Sequence, residues 1–228
     1  MNGWTLVFDL DGTLIDTAPD LAAATNHVLA QRGLPAIDDQ EIRPFVGHGA
    51  FKMIEEAMAA HGQKLTQREL TDLFEVFIVY YAANISVHSR PYDGVREALE
   101  TFSAQGAKLA VCTNKIEIHA RALLDALDMS RYFSALTGRD SLGSYKPDPR
   151  HLTGTIALAG GNPARAIMIG DTETDIATAK AANIPVVAVD FGYSVPPVRD
   201  FAPDLVISHF DQLGPAVSDI KARMAHSA

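Results

Sequence analysis

A chain of 228 residues, 47% hydrophobic, is long enough for one large domain or for one domain carrying an inserted module. Its formal net charge of -9 argues against a polyanion such as nucleic acid as partner, but not against a small anion held in a local positive site. A single cysteine, Cys112, rules out an internal disulfide and fits a reducing compartment; with no basic, apolar leader and no greasy run near the roughly 20 residues a bilayer takes, the expectation is a soluble cytoplasmic protein that avoids membranes.

Trp4 to Phe8, apart from Thr5, is an apolar run that predicts a buried strand, and it runs straight into Asp9-Leu10-Asp11-Gly12-Thr13. From Asp16 onward the pattern turns helical. Pro19 and Asp20 suit a first turn, and the helix stops before Gly33 and Pro35. Asp38 and Glu41 have N-cap and N3 spacing for a short helix that ends before Pro44. Phe51, Ile54 and Met58 share one face of the next helix, and Leu70, Leu73, Phe74, Phe77 and Tyr81 share a face of another. Residues from about 17 to 86 thus read as a helical block without a strand signal, and Arg90 to Gly94 reads as a loop leading out of it.

Beyond that loop the chain alternates. Helix faces at Val95 to Phe102, Ala120 to Leu127, His151 to Ala159 and Thr174 to Ala182 separate strands at Lys108 to Cys112, Phe133 to Leu136, Ala166 to Ile169, Val186 to Val189 and Leu205 to Ile207. Asn183 is a tolerable left-handed helix end, and a last helix is expected from Asp211. Such alternation predicts an α/β fold: a mostly parallel sheet with helices on both faces. The first strand precedes the helical block and the rest of the sheet follows it. The expected division is therefore a core of residues 1–16 and 90–228 and an inserted cap of residues 17–89, rooted beside the first strand's acids and placed to cover them.

Strand ends carry the polar signals. Asp9 and Asp11 flank one leucine at the C-terminal end of the first strand, where open α/β sheets bind ligands, and two such carboxylates repel unless a cation or a proton intervenes. Gly12 permits the tight path that turns both acids to one spot. Thr113-Asn114 follows the second strand and offers a hydroxyl and an amide, although alone it reads equally as a helix cap. Lys146 lies between Tyr145 and Pro147-Asp148-Pro149, which alone is a surface turn. Asp171 follows Gly170 at the end of the fourth strand, with Asp175 four residues on. Four acids against one lysine require a metal. Oxygen donors without His or Cys point to magnesium, and the eight histidines show no zinc spacing. An aspartate in such a site can attack phosphorus, and a second acid can move protons to and from the leaving oxygen and water.

Taken together, Asp9-Leu10-Asp11-Gly12-Thr13, Thr113-Asn114, Lys146-Pro147 and Gly170-Asp171 through Asp175 resemble the four motifs of the haloacid dehalogenase superfamily, in order and over nearly the whole chain. The resemblance implies a Rossmann-like core and a helical C1 cap. Asp16 to Leu21, Arg43 with Val46-Gly47-His48-Gly49, Thr113-Asn114-Lys115 and Phe191-Gly192-Tyr193 are similar to the phosphoglycolate phosphatase group. It follows from the resemblance that Asp9 is the nucleophile and Asp11 the general acid/base. Magnesium is held by Asp9, Asp171 and the carbonyl of Asp11, supported by Asp175. Thr113, Asn114 and Lys146 grip phosphate beside the Gly12 turn, and Arg43 and the Gly47 loop reach the substrate from the cap. Thr172, Asn183 and Asp93 depart from residues common in the group without touching the chemistry. The expected activity is hydrolysis of a small phosphorylated metabolite, 2-phosphoglycolate first. A phosphosugar mutase, a pyrophosphatase and a non-catalytic phosphate-binding protein are the alternatives, and monomer or homodimer is left open.

Overall fold

The computed structural model describes residues 1–226. Among them six strands form one parallel sheet: β1 (Thr5–Phe8), β4 (Lys108–Cys112), β5 (Ala135–Thr137), β6 (Ala166–Gly170), β7 (Val186–Val189) and β8 (Leu205–Ile207), in the order β5-β4-β1-β6-β7-β8. β1 lies inside the sheet, with Thr5 opposite Lys108 on one side and Ala166 on the other. All four of its residues are buried, as a strand covered on both faces requires. Successive side chains leave on opposite faces, so Leu6 and Phe8 join one apolar cluster while Val7 joins another. The first cluster is closed by α5 (Val95–Ala104), α6 (Glu117–Ala126) and α9 (Leu213–His226). The second is closed by α7 (Pro149–Leu158) and α8 (Glu173–Ala181).

A helical insertion forms the cap. It contains α1 (Ala18–Gln31), α2 (Asp39–Ile42), α3 (Ala50–Ala60) and α4 (Gln67–Ala83), which bury an apolar cluster of their own around Leu29, Ile54, Leu73 and Phe77. The Asp38/Glu41 capping box forms as expected, and a second one, Thr66/Glu69, starts α4. Phe51 departs from expectation. It is 39% exposed and stacks on Phe74 at 4.1 Å, while Met53 and Ala57 complete the buried face with Ile54 and Met58.

The insertion's root also differs from expectation. Arg90 to Gly94 is not all loop: β3 (Arg90–Pro91) pairs antiparallel with β2 (Ile15–Asp16), tying the outgoing and returning chain together. A two-residue ribbon has no periodicity to read, and Pro91 is tolerated because the ribbon is all edge. Asp20 does more than favour a helix dipole. Buried to 2% exposure, its carboxylate accepts the N–H groups of His88 and Ser89 and the Ser89 hydroxyl at 2.7 to 3.1 Å. The start of α1 is thereby fastened to the chain that leaves the cap. No helix among the described residues is long and apolar enough to cross a membrane.

Candidate active site

Because the strands are parallel, the residues that follow β1, β4 and β6 emerge at one edge of the sheet. Asp9, Asp171 and Asp175 meet there, each offering a carboxylate oxygen within 4.8 Å of the others, and all three are buried. Asp171 is held from both sides. Its Oδ1 accepts the Thr13 hydroxyl at 2.8 Å and its Oδ2 the Tyr193 N–H at 2.8 Å. Gly12 and Gly192 make this possible: a Cβ on either would stand within 2.8 Å of the Asp171 Cγ, and Gly12 has a φ of +82° besides. Thr172 caps α8, and Asp175 answers it at N3, so Oδ2 of Asp175 accepts both the N–H and the hydroxyl of Thr172.

Lys146 lies among these acids at 2% exposure. It donates to Asp175 Oδ1 at 2.6 Å and stands 2.9 Å from Asp9 Oδ1, but only the first contact has hydrogen-bond alignment. Asp9 Oδ1 is thus ion-paired with Lys146 in a less well-aligned contact than that of Asp175. Burial pushes the Asp9 carboxyl up to about 6 despite Lys146. Burial, then Asp175 and Asp9, push Asp171 well above the usual carboxylate range. For Lys146 burial works against the charge, but Asp175 and Asp9 prevail and raise it. A divalent cation is what such a cluster lacks. The donors are all oxygen, three buried carboxylates crowd together against a single lysine, and neither His nor Cys belongs to the cluster, which fits magnesium.

Asp11 faces elsewhere. Both its oxygens lie 3.1 Å from Lys115 Nζ, and that lysine packs under the Tyr81 ring of the cap at 4.6 Å. Its side chain is thus outside the acid cluster, which leaves only its carbonyl for a metal. Between these residues and the cap lies a cavity of about 310 Å³. Asp9, Asp11, Thr113, Asn114, Lys115 and Lys146 line it from the core, and Leu21, Gly47, Phe51, Met53, Phe74 and Tyr81 line it from the cap.

Of the residues singled out from sequence, two take other parts. Arg43 is not among the cavity's lining residues. Its guanidinium pairs with Asp16 at 3.0 Å and Asp39 at 3.2 Å and lies 5.5 Å over the Tyr193 ring, so it braces the cap's root. Asn114 spends its side-chain amide on the backbone of Lys146, donating to its carbonyl and accepting its N–H, both at 3.0 Å. It therefore positions Lys146, which was not legible from the motif. Thr113 Oγ accepts the Lys115 N–H at 3.2 Å and keeps its own proton to donate. Sequence reasoning gave no role to Thr13, Tyr193, Lys115, His119 or Arg139. Thr13, Lys115 and Tyr193 stood in quoted motifs; for His119 and Arg139 the sequence carries no signal.

Comparison with known proteins agrees with this geometry. The model of the haloacid dehalogenase-like hydrolase family matches residues 6–189. The chain is 55% identical over 208 residues to a phosphoglycolate phosphatase of Mesorhizobium japonicum, covering 91% of this chain and 92% of the relative. It is 45% identical over 210 residues to a phosphoglycolate phosphatase of Caulobacter vibrioides, covering 92% and 89%. It is also similar in structure to a "predicted phosphoglycolate phosphatase" from Haemophilus somnus 129PT, with a TM-score of 0.87, 31% identity, and coverage of 95% of this chain and 99% of that one.

Proposed function

The chain belongs to the haloacid dehalogenase-like hydrolases, and on that premise we propose that it is a magnesium-dependent phosphatase of 2-phosphoglycolate, working through a phosphorylated aspartate. The observation that carries the reading is the buried carboxylate of Asp9, set with Lys146 among the acids Asp171 and Asp175 at the base of the cavity under the cap. Residues 1–16 and 90–228 serve as the catalytic core and residues 17–89 as the cap, a division supported by the cap's separate apolar cluster.

Asp9 attacks phosphorus. A bond forms between its carboxylate oxygen and the phosphorus while the bond to the glycolate oxygen breaks. Asp11 gives that departing oxygen its proton, then takes one from the water that attacks the aspartyl-phosphate, which frees phosphate and restores Asp9. Lys146, fixed by Asp175 and by the Asn114 clasp, offsets the negative charge that builds between nucleophile and phosphate. Magnesium, held by Asp9 and Asp171 and the Asp11 carbonyl with Asp175 in support, would supply Lewis-acid neutralisation of the same charge. The Thr113 hydroxyl donates to a phosphate oxygen. The apolar cap face over the site keeps bulk water from the intermediate. The partner is a small phosphorylated metabolite. The buried thiol of Cys112 suits the reducing cytoplasm.

Phosphate release from 2-phosphoglycolate with and without magnesium tests the reading, with Asp9→Asn as control. The wild type should release free phosphate only with the metal, and the variant none. If an added sugar phosphate were instead converted to its isomer without release of free phosphate, the protein would be a mutase, and turnover by the variant would remove Asp9 as nucleophile.

A further inference from the structure

The proposed substrate carries two anionic groups, and the machinery described so far holds only its phosphate. Among the described residues four side chains able to carry positive charge line the cavity: Lys115, His119, Arg139 and Lys146. Lys146 is committed to Asp175 and Asp9. Lys115 is held by both oxygens of Asp11 and by the Tyr81 ring. Burial, then Lys115, push His119 below its usual range, which disfavours its charged form. Arg43, the cap arginine, is spent on Asp16 and Asp39 outside the cavity.

Arg139 remains. It forms no ion pair with any described carboxylate, and its guanidinium lies 4.2 Å from the Tyr145 ring, a stacking that restrains the long side chain without consuming its donors. Its backbone is fixed: its N–H donates to the Lys115 carbonyl at 3.0 Å, and Gly138 is packed so closely that a Cβ there would stand 2.6 Å from that carbonyl and from Glu117 Cα. The guanidinium lies close beside the cap at Gly49, where a Cβ would stand 3.8 Å from Arg139 Nη1, and both residues line the cavity. We propose that Arg139 binds the carboxylate of the substrate on the cap side of the cavity and so selects phosphate esters that carry a carboxylate. The planar fork of donors matches a carboxylate in two parallel hydrogen bonds. The inference rests on the phosphatase reading above and adds to it the residue that reads the non-reacting end.

The test compares kcat/KM for 2-phosphoglycolate and for ethyl phosphate, which lacks the carboxylate, in magnesium-loaded wild type, Arg139→Ala, Arg139→Lys and Lys115→Gln. Loss of a hydrogen-bonded charge should lower the 2-phosphoglycolate value roughly 10- to 100-fold in Arg139→Ala, with a smaller fall for ethyl phosphate. The ratio between the two esters should then drop about tenfold or more, and Arg139→Lys should recover part of it. An unchanged ratio overturns the proposal, whether both values fall or neither does. A ratio that drops in Lys115→Gln but not in Arg139→Ala also overturns it. A binding arm needs no turnover: the two esters are titrated calorimetrically into Asp9→Asn with and without Arg139→Ala, and the preference for 2-phosphoglycolate should vanish with the arginine. Should the wild type hydrolyse other esters but not 2-phosphoglycolate, the substrate assignment falls while this arm still judges Arg139. The side chain is exposed, so an unaltered melting temperature is expected and serves as the folding control.

Discussion

Replacing Asp9 with asparagine should stabilise the metal-free protein while it ends the chemistry. Asp9 is 7% exposed, and burial lifts its carboxyl from 3.8 to about 6 even with Lys146 at 2.9 Å. At about 1.4 kcal/mol per tenfold change in acidity, this costs the folded, metal-free state about 3 kcal/mol at neutral pH. The sign follows from which state binds the proton more tightly. The unfolded chain ionises this group near 3.8 and the folded chain near 6, so the cost is absent below pH 3.8, grows between, and is complete above 6. Asparagine has the same shape and no charge, but it leaves Lys146 with one acid instead of two, so a net gain of about 1–3 kcal/mol is expected. In a chain of this size each kcal/mol moves the melting temperature by about 2–4 °C. Thermal unfolding in EDTA at pH 7 should therefore place Asp9→Asn about 2–12 °C above the wild type, with the gap closing by pH 4. Magnesium at a hundredfold excess over its Kd should return about 2.7 kcal/mol to the wild type and less to the variant. A variant that melts at or below the wild type in EDTA at pH 7 would show that the acids are not crowded as the geometry requires.

Gly12→Ala should cost about 1–2 kcal/mol from its φ of +82° alone, and its Cβ would press on Asp171 and stand 2.7 Å from the Tyr193 ring. A magnesium activation curve should shift to higher concentration; an unshifted curve would show that the turn does not shape the metal site. Tyr193→Phe removes the hydroxyl that accepts the N–H groups of Thr17 and Ala18 and donates to Asp16, but keeps the backbone N–H on Asp171. Each orphaned N–H costs about 1–3 kcal/mol, so the melting temperature and KM should suffer while the magnesium midpoint holds; a shifted midpoint alone would contradict this. Arg43→Ala should cost about 1 kcal/mol and leave the ratio of 2-phosphoglycolate to ethyl phosphate turnover intact. A changed ratio would return Arg43 to the substrate.

The parallel sheet was legible because its inner strands are buried on both faces. β4, β7 and β8 fall where their apolar runs begin and end. β5 is three residues long and sits at the sheet edge, so the run from Phe133 to Leu136 placed it too early, and the final helix begins at Leu213 after a 3₁₀ turn at Phe210–Gln212. Asp9 and Asp171 were legible because each follows a strand directly, and strand direction alone brings those ends together; Lys146, in the loop between β5 and α7, and Asp175, in the first turn of α8, were legible from the motifs. Side-chain direction was not. Arg43 could point at the substrate or at its neighbours, and the outcome depends on Asp16 and Asp39 standing within reach. Asn114 could serve phosphate or backbone, and the backbone of Lys146 happens to lie in register with its amide. Arg139 stood in a loop with no periodicity and no motif.

The cap's root and the acid cluster share one residue. The N–H of Tyr193 holds Asp171, and its hydroxyl holds Asp16 and the first N–H groups of α1. Asp16 in turn carries Arg43, which reaches Asp39 at the start of α2. A rigid displacement of α1 must therefore either break the two hydrogen bonds from the Thr17 and Ala18 N–H groups to one buried hydroxyl or carry the Phe191–Tyr193 loop with it. In the second case the N–H on Asp171 moves too, and Gly192 leaves no slack, since even a Cβ there would stand 2.6 Å from the Asp171 Cγ. The sheet itself need not move for the cap to be felt at the metal ligands. A cap movement that keeps the bonds to the Tyr193 hydroxyl is therefore felt at Asp171.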